Sequence, residues 1–386
     1  MPNARLIKKV DFFSLELTNI CNLDCDFCAN RLMTRKKGMM DLGLAKRIIR
    51  EVKQTGFCNE ITTNVMGEPL LYKDIFELLK YARQLKQDVV LITNGEKLDS
   101  QAALNLFKYP PAQFLISYHC GSEKSYSHKN SPSTYEEYRN RIFDFVELKY
   151  KLKSNVPIYL YVISTYNMPH DKFRILEDKQ EMRSLENEWI DFAKRIKRQY
   201  NVSCHTPDAI YPGSNMLLPG FYITLSLFYH LWMKSILPSG TRVIPSQESS
   251  CNWPFIQCNV LWNGDLTLCC TDYNGDLAYD NIRDKSIIEA FNSDKAIEIR
   301  KNFANAGNIP ERCSHCYGKL VDADGLDYNR TKRIYKLTPW ENFKRRYFRL
   351  YRFFWKITNL GSDYKKLMLY INIHHWWLRK QYRHSG

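Results

Sequence analysis

Between Asp11 and about Tyr211, short β-rich runs alternate with amphipathic helical patterns, and nothing else in the chain constrains its fold as strongly. The runs read DFFSLELT, NEITTNV, DVVLITN, QFLISYH, IYLYVIS and NVSCH. Between them fall helical stretches at 44–54, with Leu44, Ile48, Ile49 and Val52 on one face, at 74–86, opened by Asp74 as a cap, and at 101–108, 134–152 and 179–199. Six such βα units predict an α/β fold with a parallel sheet and helices outside it. Right-handed crossovers leave that sheet open or curl it toward a barrel, and functional groups then collect at the C-terminal strand ends. From about Pro212 the pattern changes to a turn-rich YPGSNMLLPG and an apolar YITLSLFYHLWMKSIL, read as a buried or pocket-lining helix. A cysteine-dense region follows from 251 to 316. The expected domains are 1–211, 212–330 and 331–386.

The N-terminal MPNARLIKKVDFF lacks the apolar core and cleavage site of a signal peptide, and no apolar run reaches the roughly 18–20 residues of a spanning helix. A reducing, cytoplasmic setting is therefore expected, in which twelve cysteines point to metal or redox chemistry rather than to disulfides. Directly after the first strand stand Cys21-x3-Cys25-x2-Cys28. Three thiolates on one loop can hold three irons of a 4Fe-4S cluster and leave the fourth open to a non-protein ligand. The competing reading is a zinc site completed by a distant His or Cys.

This spacing, with Phe27 just before the last cysteine, resembles the signature of the radical S-adenosylmethionine (radical SAM) superfamily. Met66-Gly67-Glu68-Pro69, after the second strand, is similar to the segment that receives the amino end of the family's cofactor, although Gly-Glu-Pro could equally be a turn. Thr93-Asn94-Gly95 resembles a common family ending of the third strand, and its plainer reading is a loop with a left-handed glycine. The fourth run ends in Ser117-Tyr118-His119, where the family often has Ser-x-Asp; Ser117 carries over to the cofactor, while His119 departs from the pattern and is a pocket group or a packed histidine. The resemblance implies a partial (β/α)6 TIM-type barrel in which a 4Fe-4S cluster and S-adenosylmethionine generate a 5'-deoxyadenosyl radical that abstracts a substrate hydrogen.

In the later region a Cys-x2-Cys pair alone would suit zinc as well as iron. Cys251-x12-Gly264-x4-Cys269 resembles the SPASM/twitch family of auxiliary-cluster domains, with Trp262-Asn263-Gly264-Asp265 supplying a hairpin for which Asn-Gly favours a type I′ turn. The resemblance implies Cys251, Cys269, Cys313 and Cys316 as ligands of a second 4Fe-4S cluster acting as an electron relay. Cys258 and Cys270 are expected to be packed thiols, Cys270 on the opposite strand face from Cys269, though either could exchange roles. No cysteine follows Cys316, which points to the shorter, one-cluster twitch version. Asp272 and His119 are candidates for a catalytic base, Asp272 reading more naturally as a solvated or capping residue.

Of the net charge of +15, most belongs to 331–386, where fourteen Lys or Arg face only Glu341 and Asp363. Aromatics interleave these cations at helical spacing, Trp340, Phe343, Tyr347 and Phe354 against Lys344, Arg345, Arg349 and Arg352. The expectation is peripheral contact with the inner face of a membrane, against packing on the barrel or a grip on RNA. Nucleic acid is not the expected partner. The function expected is hydrogen abstraction from a sugar, polyol or envelope-precursor substrate, small or lipid-linked, with electrons from a flavodoxin or ferredoxin. The alternatives are a maturase of a ribosomally made peptide, against which the first strand begins within about eleven residues, and a non-catalytic metal- or RNA-binding protein.

Overall fold

The β-rich runs become strands because their β-branched and aromatic side chains suit a pleated surface that helices then cover. The computed structural model describes residues 6–165, 171–204, 213–227, 237–246, 251–304 and 308–326. In it the first five runs are β1 (Phe12–Leu15), β2 (Glu60–Thr62), β3 (Asp88–Thr93), β4 (Gln113–Ser117) and β5 (Ile158–Ser164). The helices are α1 (Leu42–Thr55), α2 (Ile75–Gln84), α3 (Ser100–Lys108), a short α4 (Glu123–Ser127) that the sequence reading missed, α5 (Tyr135–Lys151) and α6 (Lys179–Tyr200). In α1, Leu44, Ala45, Ile48, Ile49 and Val52 are buried, Asp41 accepts from Leu44 N–H at 2.9 Å, and Gly56 at φ 66° ends the helix. Asp74 precedes α2 without a side-chain cap bond, so that helix rests on its buried face of Ile75, Leu78, Leu79 and Ala82.

The sixth parallel strand is not NVSCH. Residues 202–204 lie outside any strand, and the chain returns as a hairpin of β6 (Gly213–Leu218) and β7 (Phe221–Leu227). β7 pairs parallel with β5, from Ile158 opposite Phe221 to Ser164 opposite Leu227. The segment expected to be turn-rich therefore contains a strand, and the start of the segment expected to be a helix is β7. Along it Phe221, Ile223 and Leu225 are buried while Tyr222, Thr224 and Ser226 are half-buried, the period of two of a strand, and pairing with the open edge of β5 completes it. Residues 228–236 and the expected C-terminal helices at 331–386 lie outside the described residues.

β8 (Arg242–Ile244) forms a small separate sheet with a late strand, Lys319–Val321. After α7 (Trp253–Ile256), β9 (Gln257–Val260) pairs parallel with the free side of β1, Phe13 opposite Cys258, and continues into antiparallel β10 (Asp265–Thr267) and β11 (Ala278–Asn281). Then come α8 (Ile287–Phe291), α9 (Asp294–Ala304), α10 (Glu311–Tyr317) and that late strand, β12. The large sheet has the order β11-β10-β9-β1-β2-β3-β4-β5-β7-β6. Its centre is the mostly parallel sheet of a partial TIM-type barrel. Trp189 of α6, fully buried, locks that helix down through ring contacts with Phe143 at 4.8 Å and Phe221 at 5.4 Å. Truncating it to alanine would cost about 3–5 kcal/mol. The loops after β1 and β2 and the ends of β3 and β4 lie together at the C-terminal end of the parallel strands.

Candidate functional site

The loop after β1 is shaped by its own polar residues before any ligand is considered. Asn19 donates from Nδ2 to Lys36 O at 2.9 Å and accepts from Gly38 N–H at 2.8 Å, which closes residues 19–38 into a compact lobe. Cys28 N–H donates to Cys25 O at 3.0 Å, and Cys28 Sγ accepts from Asn30 N–H at 3.4 Å, capping a single turn of 3₁₀ helix, Ala29–Leu32. Cys21, Cys25 and Cys28 thereby line one cavity of about 500 Å³, together with Phe27, Gly67, Asn94, Ser117 and His119. Burial pushes all three thiols upward, Cys28 to about 11, and Cys25 is eased partly back by Lys129. Such thiols give up their protons to a bound cation rather than to water. Among the described residues no three Cys, His, Asp or Glu side chains converge on one ion-sized point. Three soft donors around a cavity fit an iron-sulfur cluster with one iron left to another ligand.

The segments after β2 and β3 are tied to this loop. Gly67, at φ 81°, brings its backbone so close that a Cβ would stand 2.3 Å from Thr18 O, which makes glycine obligatory there. Glu68 N–H donates to Ile20 O at 2.8 Å. The buried Glu68 carboxylate, raised by desolvation, accepts from Thr93 Oγ1 at 2.7 Å, Asn94 N–H at 2.7 Å and Leu70 N–H at 3.0 Å. Its role is to lock the Gly67-Glu68-Pro69 turn to Thr93-Asn94, and Pro69 starts the short turn that follows. Asn94 Nδ2 in turn donates to Asn22 Oδ1 at 3.0 Å and approaches Cys21 Sγ at 3.7 Å.

Ser117 presents its carbonyl to a group that the sequence reading missed. Lys129, buried just beyond α4, donates from Nζ to Ser117 O and Tyr138 OH, each at 2.9 Å, and sits 4.2 Å from the Tyr138 ring centroid. It lines the cavity and bears a cation beside the three thiols. No periodicity marks it; only the buried cation in the folded chain does. His119, at φ 45°, stands edge-on between Phe27 (5.7 Å) and Tyr161 (5.5 Å), its Nδ1 buried without a partner. Desolvation, with Lys129 acting the same way, lowers it to about 3 and keeps the imidazole neutral.

The second cysteine set is assembled from distant segments. The β9–β10 connection turns on Gly264 at φ 94°, with Gly264 N–H donating to Leu261 O and Leu261 N–H to Asp265 O, each at 2.8 Å. Asn263 does not take the positive φ of a type I′ turn, so the expected two-residue turn is replaced by a longer one with only its glycine left-handed. Cys313 and Cys316 lie one turn apart on α10, and burial raises Cys313 to about 12, with Cys251, Cys269 and Cys316 as its electrostatic neighbours. The four thiols singled out by spacing lie within electrostatic reach of Cys313, while among the described residues no three Cys, His, Asp or Glu side chains converge on one ion-sized point. Cys258 is instead wholly buried in the apolar core. β10 ends at Thr267, so strand alternation no longer places Cys270, whose thiol lies close enough to interact with that of Cys269. That interaction, with hydrogen bonds from Thr271, holds Cys269 below the usual thiol range despite burial. Asp272, without exposed surface, accepts from Thr267 Oγ1, from Asp276 N–H at 3.1 Å and from Leu277 N–H at 2.9 Å, so it organises its own loop and is not part of the cavity lining.

A strap joins the two loops. Arg35 donates to both oxygens of the buried Glu16 at 2.7 Å and from Nε to Tyr273 O at 2.7 Å. Thr34 N–H donates to Asn274 Oδ1 at 2.8 Å, and Trp262 Nε1 donates to Lys36 O at 3.3 Å while covering Gly38.

The family model of the radical SAM superfamily matches residues 15–168, and that of an iron-sulfur cluster-binding domain, SPASM, matches 251–317. The chain belongs to the radical SAM superfamily. Its SPASM match brackets the second cysteine set from Cys251 to just past Cys316. Among curated proteins it is 26% identical over 122 residues to an S-adenosyl-L-methionine-dependent 2-deoxy-scyllo-inosamine dehydrogenase of Niallia circulans, covering 31% of this chain and 49% of that one. It is 33% identical over 85 residues to a PqqA peptide cyclase of Gluconobacter oxydans, covering 22% and 23%. The matches therefore span about half or less of these relatives. Among solved structures, BtrN in complex with AdoMet and 2-DOIA aligns at 15% identity and a TM-score of 0.44, over 83% of this chain and 97% of that one. The radical SAM and SPASM matches imply iron-sulfur and S-adenosylmethionine binding, and no helix among the described residues is long and apolar enough to cross a membrane.

Proposed function

We propose that the chain reductively cleaves S-adenosylmethionine to a 5'-deoxyadenosyl radical and abstracts hydrogen from a sugar, polyol or envelope-precursor substrate, a second 4Fe-4S cluster serving as electron relay. The observation that carries this is the convergence of Cys21, Cys25 and Cys28 on one cavity with Gly67, Asn94, Ser117 and Lys129. When bound, the cluster and its cofactor supply the one-electron sulfonium cleavage, the electron arriving from a flavodoxin or ferredoxin. Cys21, Cys25 and Cys28 hold the first cluster in this reading. Gly67 offers backbone without a side chain, while Glu68 and Thr93 keep that backbone and Asn94 in register. Lys129 spends two of its three donors on Ser117 O and Tyr138 OH and keeps positive charge for the cofactor's carboxylate. Phe27 and the neutral His119 shield the site from water.

Cys251, Cys269, Cys313 and Cys316 hold the auxiliary cluster, and four protein thiolates leave it no iron for the cofactor. The small-molecule reading is supported by the likeness to an S-adenosyl-L-methionine-dependent 2-deoxy-scyllo-inosamine dehydrogenase. The likeness to a peptide cyclase keeps peptide maturation as the second reading. We place the protein in the cytoplasm, with residues 331–386 at an anionic membrane face. The deciding experiment is anaerobic reconstitution, iron and sulfide counting, and an assay for 5'-deoxyadenosine under strong reductant. About eight irons with cofactor cleavage is the expected result. Zinc without cleavage would return the chain to the metal-binding class. Flotation of the full chain and of a form lacking 331–386 with anionic vesicles checks the membrane contact.

A further inference from the structure

The loop after β10 does more for the second cysteine set than carry Cys269. Thr271 N–H points at Cys269 Sγ from 3.5 Å, and Thr271 Oγ1 lies 3.2 Å from the same sulfur. When that sulfur is a thiolate ligand it has no proton to give, so the hydroxyl must be the donor. The loop is built to hold the hydroxyl there. Asp272 N–H donates back to Cys269 O at 3.0 Å, and the Asp272 carboxylate gathers Thr267 Oγ1 and the amides of Asp276 and Leu277. From α10, next to Cys313, Arg312 donates to Thr271 O at 3.2 Å and to Asp276 Oδ2 at 2.8 Å, with its guanidinium 4.3 Å from the Tyr273 ring centroid. Thr271 is thus fixed from both sides of the thiol set.

We propose that Thr271 sets the reduction potential of the auxiliary centre, its hydroxyl donating to the Cys269 ligand sulfur and making the centre easier to reduce by one electron. This rests on Cys269 being a cluster ligand, as the proposed function has it. The physical ground is general. One-electron reduction adds negative charge that spreads onto the ligand sulfurs, and a hydrogen bond to such a sulfur stabilises the reduced form more than the oxidised one. The bond persists in both states, so no proton is transferred; the electron comes from the reductant and resides on the centre. Asp272, a buried acid nearby, acts in the opposite sense, and Arg312 at 3.8 Å from its Oδ1 moderates it.

The test uses the full chain, reconstituted, with Cys21, Cys25 and Cys28 all changed to Ala so that only the auxiliary centre is read by EPR-monitored redox titration with dithionite. In that background Thr271→Val and Thr271→Ala are expected to hold about four irons and to titrate at a clearly more negative potential, while Thr271→Ser stays at the parent value. A role confined to packing would move Ser and Ala together and leave Val closest to the parent. Parent potentials in Val and Ala overturn the proposal. Loss of iron in both, with Ser retaining it, also overturns it, since the hydroxyl would then hold the ligand and not tune the centre. A parent protein without iron removes the auxiliary-cluster reading itself, and the proposal with it.

Discussion

In the proposed reading the two cysteine sets both hold reducible iron, and the protein surrounds them differently. The first sits on a single loop of eight residues from Cys21 to Cys28, beside a cavity, and burial dominates its thiols, all of which are pushed upward. The second draws Cys251, Cys269, Cys313 and Cys316 from three segments. There the thiols differ among themselves: burial raises Cys313, while hydrogen bonds outweigh burial at Cys269. A site left open for a cofactor needs space and a dry wall, whereas a site closed by protein can be tuned sulfur by sulfur from its own loops. The difference teaches that incoming chemistry and fixed potential place different demands on the same ligand.

The sharpest way to break this contrast is to remove one ligand from each set. Cys25→Ala should reduce 5'-deoxyadenosine formation to the no-enzyme level with loss of about half the iron. Cys313→Ala should lose the other half and yet retain cofactor cleavage without substrate turnover. Chromatography of nucleoside products and iron assay read both, and equal loss of cleavage in the two variants would falsify the division of labour.

A second expectation concerns the buried acid of the strap between the sets. Burial, against the opposing pull of Arg35, raises Glu16 from 4.5 to about 7. As pH rises through that window the unfolded carboxyl ionises before the folded one, so the contribution to stability present below 4.5 is lost by about 7. The loss is on the order of 3 kcal/mol. Thermal melts of wild type and Glu16→Gln across pH should show the slope only in wild type.

Lys129→Met should weaken S-adenosylmethionine binding roughly 10- to 100-fold, seen by equilibrium dialysis, through loss of a charge-assisted contact. It should leave the second set's iron untouched. Gly67→Ala should destabilise the first set alone, by about 2 kcal/mol from strain and contact with Thr18 O. Iron retention on dilution would then fall at the first set and hold at the second.

The same contrast governs what could be read in advance. Cys21, Cys25 and Cys28 announce themselves because the loop that unites them is continuous in sequence, and β1 to β5 because their apolar runs are bounded by turns. The four auxiliary thiols were reachable by spacing, but Cys270 was placed by extending strand alternation past the point where β10 ends. β7 was missed because the apolar segment was read as one helix, although Thr224 and Ser226 alternate with Ile223, Leu225 and Leu227 at the period of a strand. Lys129 carried no local signal; a lysine on a polar turn reads as solvated until Tyr138 and Ser117 close over it. Gly-Glu-Pro was legible as a turn after the second strand, while the task of Glu68, holding Asn94 in position, depends on β3 lying alongside.

The strap of Arg35, Thr34 and Trp262 has a consequence for how such chains can be recombined. Residues 34–38 and 262–274 complete each other's hydrogen bonds and packing, down to the bare backbone of Gly38 under the Trp262 ring. Neither loop can be transplanted by itself without stranding Glu16 as a buried acid or driving a side chain into the indole. For loop exchange between relatives, these two stretches, more than two hundred positions apart in the chain, form one cassette.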